Sequence, residues 1–216
     1  APLHIADRQP IGWHWEKPAH HSGGHELIVE VAQKNKTDHQ LYHLDLLGIY
    51  QTKNLITVLE SCAQLQQLGW NIEESDIKTG LRFAKKLTDR HGRWEIVHQH
   101  PLVVLDVAHN QDGIKMLMEQ VEVTEHEHLH IIFGIVRDKE IDKILTLFPQ
   151  LADFYFTKAD IPRALDAETL QQEAEHFGLK GECYPNVNAA IKTALSRSSM
   201  QDLILVCGSV FLVGEV

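Results

Sequence analysis

Apolar residues recur along this chain at two spacings, every second residue in some stretches and every three to four residues in others. Residues 1–50 are rich in the first pattern, with an apolar run at Leu27–Ala32 followed by alternation at Tyr42, Leu44 and Leu46. Such runs predict β-strands. The second spacing predicts two helices, whose apolar positions are Leu55, Val58, Leu59, Cys62 and Leu65 in the first and Ile77 and Leu81 in the second.

Strand and helix patterns alternate regularly in the rest of the chain. The strand-like apolar runs are Val103–Val107, Leu129–Phe133, Phe154–Thr157 and Leu203–Val206. Helical spacing fills the intervals, at Ile114, Leu117, Met118 and Val121, at Ile141, Ile144, Leu145 and Phe148, at Leu170, Ala174 and Phe177, and at Val187, Ala190, Ile191 and Ala194. Short strands separated by helices are typical of βαβ units, so we expect an α/β, Rossmann-like domain with a mostly parallel sheet.

The polar stretch 85–92 separates the two patterns, and we place the domain boundary there. Residues 1–88 are too sparse in regular elements to form a self-contained doubly wound domain. We interpret them as the β-rich and helical tail of a domain that begins upstream. Residues 89–216 are long enough for one domain of ordinary size.

Bulk composition narrows the classes of partner. The net charge of −10 argues against nucleic acid, because phosphate backbones require clustered Lys and Arg. Three cysteines without metal-binding spacing favour a reducing cytoplasm. No apolar run approaches the roughly 18 residues of a membrane span, and no signal peptide opens the chain. Fifteen histidines include those of the segment His20–His25, whose paired glycines favour a solvated loop over a metal site.

Polar residues stand where the apolar run Val103–Val107 gives way to a predicted helix. Asp106, His109 and Asn110 would lie at the carboxyl end of a parallel strand, which is where open α/β sheets bind ligands. Asp106 and Asn110 could equally cap the helix, because strand-to-helix junctions commonly require such caps. Spacing alone leaves these two interpretations open.

Short segments spread over nearly the whole chain carry a family resemblance. They are, in order, Leu46–Asn54 with Thr57, Gly92–Glu95, Leu105–Asn110 with Asp112-Gly113, Phe133-Gly134 with Asp138-Lys139, Pro162–Ala164, and Gly208–Val216. On this ordered set the chain resembles the C-terminal half of a folylpolyglutamate synthase/dihydrofolate synthase, a member of the Mur ligase superfamily. The resemblance implies that residues 1–88 complete a Mur-ligase-type central ATPase domain and that residues 89–216 form the C-terminal ligase domain.

The resemblance assigns three residues to ATP. Asn54, in a Gln-x-x-Asn motif that begins at Gln51, would contact the adenine, although at a helix start it could serve as the N-cap. Arg93 would reach the phosphates, which suits its planar cation, although beside Trp94 it could simply lie over the ring. Asp106 would contact ATP, where a carboxylate can accept hydrogen bonds from ribose hydroxyls.

Three further residues are assigned to the incoming L-glutamate. His109, in its Ala-His-Asn context, resembles the family histidine that binds and orients the amino acid, and it is the catalytic candidate. Ser209 would be a second contact, with a turn-and-cap serine as the alternative. Arg163 corresponds to the arginine of an Asp-Asn-Pro-Arg loop that grips a carboxylate in related ligases, but only the proline and arginine of that loop are present here. Asp138-Lys139 also matches the family's sequence after Phe-Gly. The alternative is that these two residues form a solvated ion pair at the start of a helix.

The implied reaction is ATP-dependent ligation of L-glutamate to folates, to dihydropteroate or to both, through an acyl phosphate. The chain contains no Gly-x-x-Gly-Lys-[Ser/Thr], and the resemblance puts the P-loop and the Mg²⁺ ligands upstream of Ala1. We therefore expect the fragment to be inactive alone and, as in the family, monomeric. The alternatives are a cell-wall Mur-type amino-acid ligase and a non-catalytic Rossmann-like module that binds a nucleotide or a partner.

Overall fold

The computed structural model describes residues 6–16, 25–33, 37–137 and 140–216. The chain divides into two compact units, the first ending at His91 and the second beginning at Gly92. This division falls within the polar stretch 85–92. Each unit has its own sheet and its own buried apolar cluster.

The first unit is an antiparallel three-stranded sheet followed by helices. Its strands, in spatial order, are β1 Arg8–Glu16, β2 Glu26–Gln33 and β3 His39–Leu44. Its helices are α1 Gln51–Gln67, α2 Glu74–Arg82 and α3 Ala84–Thr88. Alternate residues of β2 and β3 pack against α1 in a cluster of Leu27, Val29, Val31, Tyr42, Leu44, Leu55 and Leu59. The alternation predicted at Tyr42 and Leu44 is confirmed, because every second side chain of a strand faces the same side. Leu46, the third predicted position, lies beyond the end of β3.

Helix α1 begins at Gln51, earlier than its apolar spacing indicated. A backbone hydrogen bond from Gln51 N to Gly48 O, 2.8 Å long, closes the turn that leads into it. Tyr50 occupies the N-cap position, and its side chain makes no capping hydrogen bond. The interpretation of Asn54 as an N-cap is therefore wrong, because Asn54 lies inside the helix.

The second unit is a six-stranded sheet in the order β4-β5-β9-β6-β7-β8. Its strands are β4 Glu95–Gln99, β5 Leu102–Leu105, β6 Leu129–Phe133, β7 Asp153–Phe156, β8 Gly181–Cys183 and β9 Leu203–Cys207. Its helices are α4 Gln111–Glu122, α5 Ile141–Leu145, α6 Ala167–Glu175, α7 Val187–Arg197 and α8 Val210–Val213. Strand β4 runs antiparallel to β5, and the other described pairs are parallel. The prediction of an α/β, Rossmann-like domain with a mostly parallel sheet is confirmed.

Strands β6 and β9 form the middle of this sheet, and every residue in both is buried. One face of the sheet packs against α7 and α8 through Val187, Ala190, Ala194, Leu212 and Val213. The predicted apolar face of α4 is buried too, and its residues lie outside that cluster. Strands covered on both faces need continuous apolar sequences, which is why these strands were predictable.

Two predicted helices are shorter than their apolar spacing indicated. Helix α5 ends at Leu145 and leaves Phe148 in the loop, because the residue before a proline, here Pro149, disfavours helical backbone. Helix α6 ends at Glu175, so Phe177 also follows the helix. Phe148 is buried all the same. The apolar character of Phe148 therefore indicates that the residue is buried, and it does not indicate that the residue is helical.

Some expectations fall on residues that the structure does not describe. They concern the histidine segment up to Gly24, the turn residues 35–36, and Asp138-Lys139. Among the residues that it does describe, no helix is long and apolar enough to cross a membrane.

Candidate functional site

The carboxyl ends of the central parallel strands are joined by backbone hydrogen bonds. Gly208 N, just after β9, donates to Ala108 O, beyond β5, over 2.9 Å. Gly134 N, after β6, donates to Cys207 O over 3.4 Å, and Thr157 N, after β7, donates to Phe133 O over 3.0 Å. Ligands of open α/β sheets bind at this edge. The loops after β5, β7 and β9 carry the three residues that sequence analysis assigned to glutamate.

Gly208 fixes the closest approach within this edge. Its φ is +109°, and a Cβ at this position would lie 2.4 Å from Gly134 O and 2.7 Å from the Phe133 ring. Only glycine tolerates both the left-handed backbone and the contact. The residue that follows, Ser209, is thereby fixed against the ends of β9 and β6.

Ser209 caps the short helix α8. Its Oγ accepts a hydrogen bond of 3.2 Å from Phe211 N, and its side chain is buried. The interpretation of Ser209 as a turn-and-cap serine is confirmed. A hydroxyl that accepts one bond still carries a hydrogen to donate, so the cap does not prevent the predicted contact with glutamate, which stays a prediction.

His109 lies exposed in the loop between β5 and α4. Its Nδ1 is 2.9 Å from Val107 O. Because a carbonyl oxygen only accepts hydrogen bonds, Nδ1 carries the hydrogen in this contact, and in the neutral ring Nε2 keeps its lone pair. The backbone of its own loop therefore orients the imidazole and leaves Nε2 available to a ligand.

Asn110 and Asp106 have different roles, although both were candidates to cap α4. Asn110 Oδ1 accepts from Gly113 N over 2.8 Å, so Asn110 is the cap. Asp106 does not cap the helix, and that interpretation is wrong. Its Oδ1 accepts from Ala108 N and its Oδ2 from Trp94 N, each over 2.9 Å, and the residue is 1% exposed. This carboxylate joins the end of β5 to the turn that precedes β4, and its predicted contact with ATP stays a prediction.

Arg93 stands in that turn, between two residues with left-handed backbone. Gly92 has a φ of +74° and Trp94, a residue with a side chain, a φ of +49°. Such backbone costs about 1–3 kcal/mol at a non-glycine residue and persists only where surrounding contacts enforce it. Asp106 provides one such contact, and the bond from Val107 N to Gly92 O, 2.9 Å long, provides another.

The guanidinium of Arg93 is uncommitted within the described part of the chain. It forms no hydrogen bond, ion pair or cation–π contact there, and the residue is half-buried. The alternative in which Arg93 lies over the Trp94 ring is therefore not seen. Its contact with phosphate stays a prediction, and an unpaired planar cation is suited to it.

Arg163 and Ser209 come together through Phe211. The guanidinium carbon of Arg163 lies 4.9 Å from the centroid of the Phe211 ring, and Phe211 N is the donor to Ser209 Oγ. Arg137 holds the loop from the other side, since its backbone N donates to Arg163 O over 3.1 Å and its Nε donates to Ala164 O over 3.0 Å. The structure thus places two predicted glutamate contacts beside one aromatic ring.

Glu215 is a positioning residue that sequence analysis missed. Its Oε1 accepts a hydrogen bond of 2.7 Å from Asp160 N, at the start of the loop that carries Arg163. Its backbone O accepts from Asn188 Nδ2 over 3.1 Å. The terminal Gly-Glu-Val of the resemblance was the available signal, because a glutamate in an otherwise apolar run needs a partner.

Beneath these loops the edge is closed to solvent. Burial raises the pKa of the Cys207 thiol well above its usual value, and the charge of Asp106 acts in the same direction. The thiol is therefore protonated and inert, as expected for a fully buried cysteine. In the first unit, Asn54 is exposed and its Nδ2 donates to Gln51 Oε1 over 2.8 Å, and its adenine contact stays a prediction.

Sequence comparison bears on most of the second unit. The family profile described as "Mur ligase, glutamate ligase domain" matches residues 92–210, more than half of the chain. The chain belongs to the Mur ligase family. This Mur ligase chain is 31% identical over 196 residues to the "Probable bifunctional folylpolyglutamate synthase/dihydropteroate synthase" of Haloferax volcanii, over 89% of the chain and 23% of that protein. It is 28% identical over 187 residues to the dihydrofolate synthase/folylpolyglutamate synthase of Escherichia coli, over 83% of the chain and 42% of that protein.

A solved structure shows the same fold. It is a bifunctional folylpolyglutamate synthase/dihydrofolate synthase with Mn, AMPPNP and L-glutamate bound, with a TM-score of 0.67 and 20% identity over 95% of this chain and 45% of that one. At this identity the likeness concerns the fold alone. The Mur ligase chain spans less than half the length of these relatives.

Proposed function

We propose that this chain is the part of an ATP-dependent ligase that binds and positions L-glutamate for addition to a folate or to dihydropteroate. The observation that carries the proposal is the grouping of His109, Ser209 and Arg163 at the carboxyl edge of a glutamate ligase domain. Each keeps a group that can meet an amino acid. These are the lone pair of an imidazole, a hydroxyl hydrogen and an exposed cation.

The chemistry requires an activated acid. A carboxylate of the pterin substrate attacks the γ-phosphorus of ATP, which forms an acyl phosphate and releases ADP. The α-amine of L-glutamate then attacks the acyl carbon, the new C–N bond forms, and the C–O bond to phosphate breaks. The amine loses a proton and inorganic phosphate leaves. Holding the amine about 3–3.5 Å from the acyl carbon is the contribution expected of a positioning domain.

The three edge residues divide that task. The Arg163 guanidinium is matched to a glutamate carboxylate because a planar cation can donate two parallel hydrogen bonds. The Ser209 hydroxyl donates to the same amino acid. The free Nε2 of His109 accepts a hydrogen bond from the α-amine and so orients the nitrogen, whose lone pair then attacks the acyl carbon.

ATP and Mg²⁺ are the cofactors of the proposed reaction. We assign Arg93 to the phosphates, Asp106 to the support of the Arg93 turn beside the ribose, and Asn54 to the adenine. The uncommitted guanidinium of Arg93 and its pinned turn support the first of these assignments. We assign no residue of this chain to the Mg²⁺ ion, whose ligands the family resemblance puts outside it.

The proposal extends to domain roles and setting. Residues 1–88 belong to the central ATPase domain and residues 89–216 form the ligase domain of a monomeric cytoplasmic enzyme. Support for the cytoplasm comes from Cys62, Cys183 and Cys207, which are all free thiols. Support for the monomer comes from the family resemblance.

The test is phosphate release by the complete gene product that contains this chain, with ATP, Mg²⁺ and L-glutamate. Dihydropteroate and tetrahydrofolate are added in turn. We expect release only when L-glutamate and a pterin are both present, and the pterin that supports it identifies the activity. Release with a cell-wall precursor and its amino acid, and none with either pterin, would overturn the folate assignment in favour of a cell-wall ligase.

A further inference from the structure

A second group of polar side chains lies at the opposite, amino-terminal edge of the six-stranded sheet. His128 directly precedes β6, His130 is the second residue of β6, and Asp153 opens β7. His130 and Asp153 are register partners in the parallel pair β6–β7. In the segment 125–130 every second residue is a histidine. Because side chains alternate along a strand, His128 and His130 lie on the same face of the sheet. The proposed ligase chemistry uses none of these residues.

The three side chains converge on one point. His128 Nε2 is 3.0 Å from Asp153 Oδ2, and His130 Nδ1 is 3.8 Å from the same oxygen. The potential ligand atoms of all three residues lie within 4.8 Å of one another. His128 and Asp153 are partly open to solvent, whereas His130 is 2% exposed.

Asp202 fixes the orientation of the buried imidazole. Asp202 Oδ2 is 3.3 Å from His130 Nε2 and also accepts from Ser199 N over 2.7 Å. Ser199 Oγ donates to the other oxygen over 2.8 Å. An acceptor that is held so firmly places the ring hydrogen of His130 on Nε2, so that Nδ1 presents its lone pair to the cluster. A carboxylate behind a histidine is the usual outer support of a metal ligand.

We propose that His128, His130 and Asp153 bind a divalent transition-metal ion of the Zn²⁺ type. Two imidazoles and one carboxylate are the donor set that such ions accept, whereas Mg²⁺ prefers oxygen ligands alone. Zinc bonds of about 2.0–2.2 Å at tetrahedral angles put ligand atoms roughly 3.3–3.6 Å apart. The distances from Asp153 Oδ2 to the two imidazole nitrogens, 3.0 and 3.8 Å, bracket that range. Three protein ligands leave the fourth position to water.

Metal binding would join the starts of β6 and β7 and, through Asp202, the start of β9. Its effect is therefore structural, and it is distinct from the Mg²⁺ that accompanies ATP. The bond between His130 Nδ1 and the Tyr155 hydroxyl, 3.1 Å long, occupies the same lone pair. The ion replaces that bond when it binds, so Tyr155 is a competitor and not a ligand.

The experiment titrates Zn²⁺ into the complete gene product that contains this chain, in competition with a chromophoric chelator, and records the melting temperature with and without the ion. His128→Ala and Asp153→Asn remove exposed ligands with little risk to folding. We expect at least a tenfold loss of Zn²⁺ affinity in each, and a 10–100-fold loss in Asp202→Asn, which removes the support of His130. Two variants serve as controls: His176→Ala removes an exposed histidine elsewhere in the unit, and Tyr155→Phe removes the competing hydroxyl. Each should bind Zn²⁺ within about twofold of the wild type or more tightly.

Cobalt substitution separates this site from other ligands in the chain. We expect the Co²⁺ complex to show no thiolate-to-metal absorption and to survive His20→Ala/His21→Ala. Equal Zn²⁺ affinity in the wild type and His128→Ala would overturn the proposal and make the cluster a hydrogen-bond network only. A thiolate band, loss of binding in the His20/His21 variant, or a melting temperature that Zn²⁺ does not raise would overturn it as well.

Discussion

The two edges of the six-stranded sheet are held together in different ways. At the carboxyl edge the backbone sets the geometry, through the Gly208–Ala108 bond and the close approach of Gly208 to Gly134. At the amino edge side chains set the geometry, and His130 and Asp202 satisfy each other. At the carboxyl edge, backbone contacts fix the loops and leave side chains available to a large ligand. At the amino edge, the side chains already converge on one point, which suits a single ion.

Gly208→Ala gives the largest expected effect, because it attacks the backbone packing of the carboxyl edge directly. The added Cβ would lie 2.4 Å from Gly134 O, and alanine would have to adopt a φ of +109°. Strain and overpacking each cost about 1–3 kcal/mol, so we expect the free energy of unfolding to fall by about 3 kcal/mol or more. Urea unfolding followed by circular dichroism measures it.

Gly80→Ala is the matched control for that substitution. A Cβ at Gly80 meets nothing within 4 Å, and the residue lies within helix α2, where alanine is favoured over glycine by about 0.5–1 kcal/mol. We expect unchanged or slightly higher stability. Equal urea midpoints for the two variants would show that the edge is not held by the glycine contact.

Asp106→Asn is expected to have the next largest effect. An amide in place of the carboxylate offers one acceptor where the backbone presents two donors, Trp94 N and Ala108 N. A buried donor left without a partner costs about 1–3 kcal/mol, and we expect a loss of about 2 kcal/mol in the free energy of unfolding. The left-handed turn at Trp94 should also loosen, which hydrogen exchange of the residue 92–95 amides would detect.

Asp112→Asn serves as the control for Asp106. Asp112 is exposed in the first turn of α4, where a negative charge interacts with the helix dipole. We expect a loss well under 1 kcal/mol and unchanged exchange at residues 92–95. Similar behaviour of the two variants would mean that Asp106 does not hold the turn.

Burial decided how much of the fold the sequence could reveal. Strands β6 and β9 are buried on both faces and stand out as apolar runs, whereas β4 and β8 are half-exposed and carry no such signal. Phe148 misled the prediction of α5 because loop residues can be buried as deeply as helical ones. The spacing of apolar residues indicates which side chains are buried. Backbone constraints such as Pro149 decide where a helix ends.

The site was predictable where neighbours in sequence determine it. Asn110 caps the helix three residues ahead of Gly113, and that contact is local. The contact of Asp106 with Trp94 N depends on how β4 pairs with β5, and no spacing in the sequence contains it. The His128–Asp153 cluster was missed for the same reason, because its members come from two strands that only the sheet brings together.

Arg163→Ala makes the smallest change to the fold and tests the edge as a glutamate site. The side chain is exposed, and its described contact is the Phe211 ring at 4.9 Å. In the complete gene product we expect the KM for L-glutamate to rise about tenfold, which corresponds to roughly 1.4 kcal/mol of binding, with a smaller change in kcat. Arg163→Lys keeps the charge but loses the planar guanidinium, so its KM for L-glutamate should lie between those of the wild type and Arg163→Ala.

Arg197→Ala is the control for Arg163→Ala, and it compares an arginine near the amino edge with one at the carboxyl edge. Arg197 also lies over an aromatic ring, with its guanidinium carbon 5.8 Å from the centroid of Tyr155, and it pairs with Glu182 over 2.9 Å. Tyr155 contacts His130 at the amino edge, so we expect the KM for L-glutamate to stay at the wild-type value. An unchanged KM in Arg163→Ala would remove Arg163 from the glutamate site. A similar rise in both variants would show that losing any stacked arginine disturbs the unit, and that the two edges do not have separate tasks.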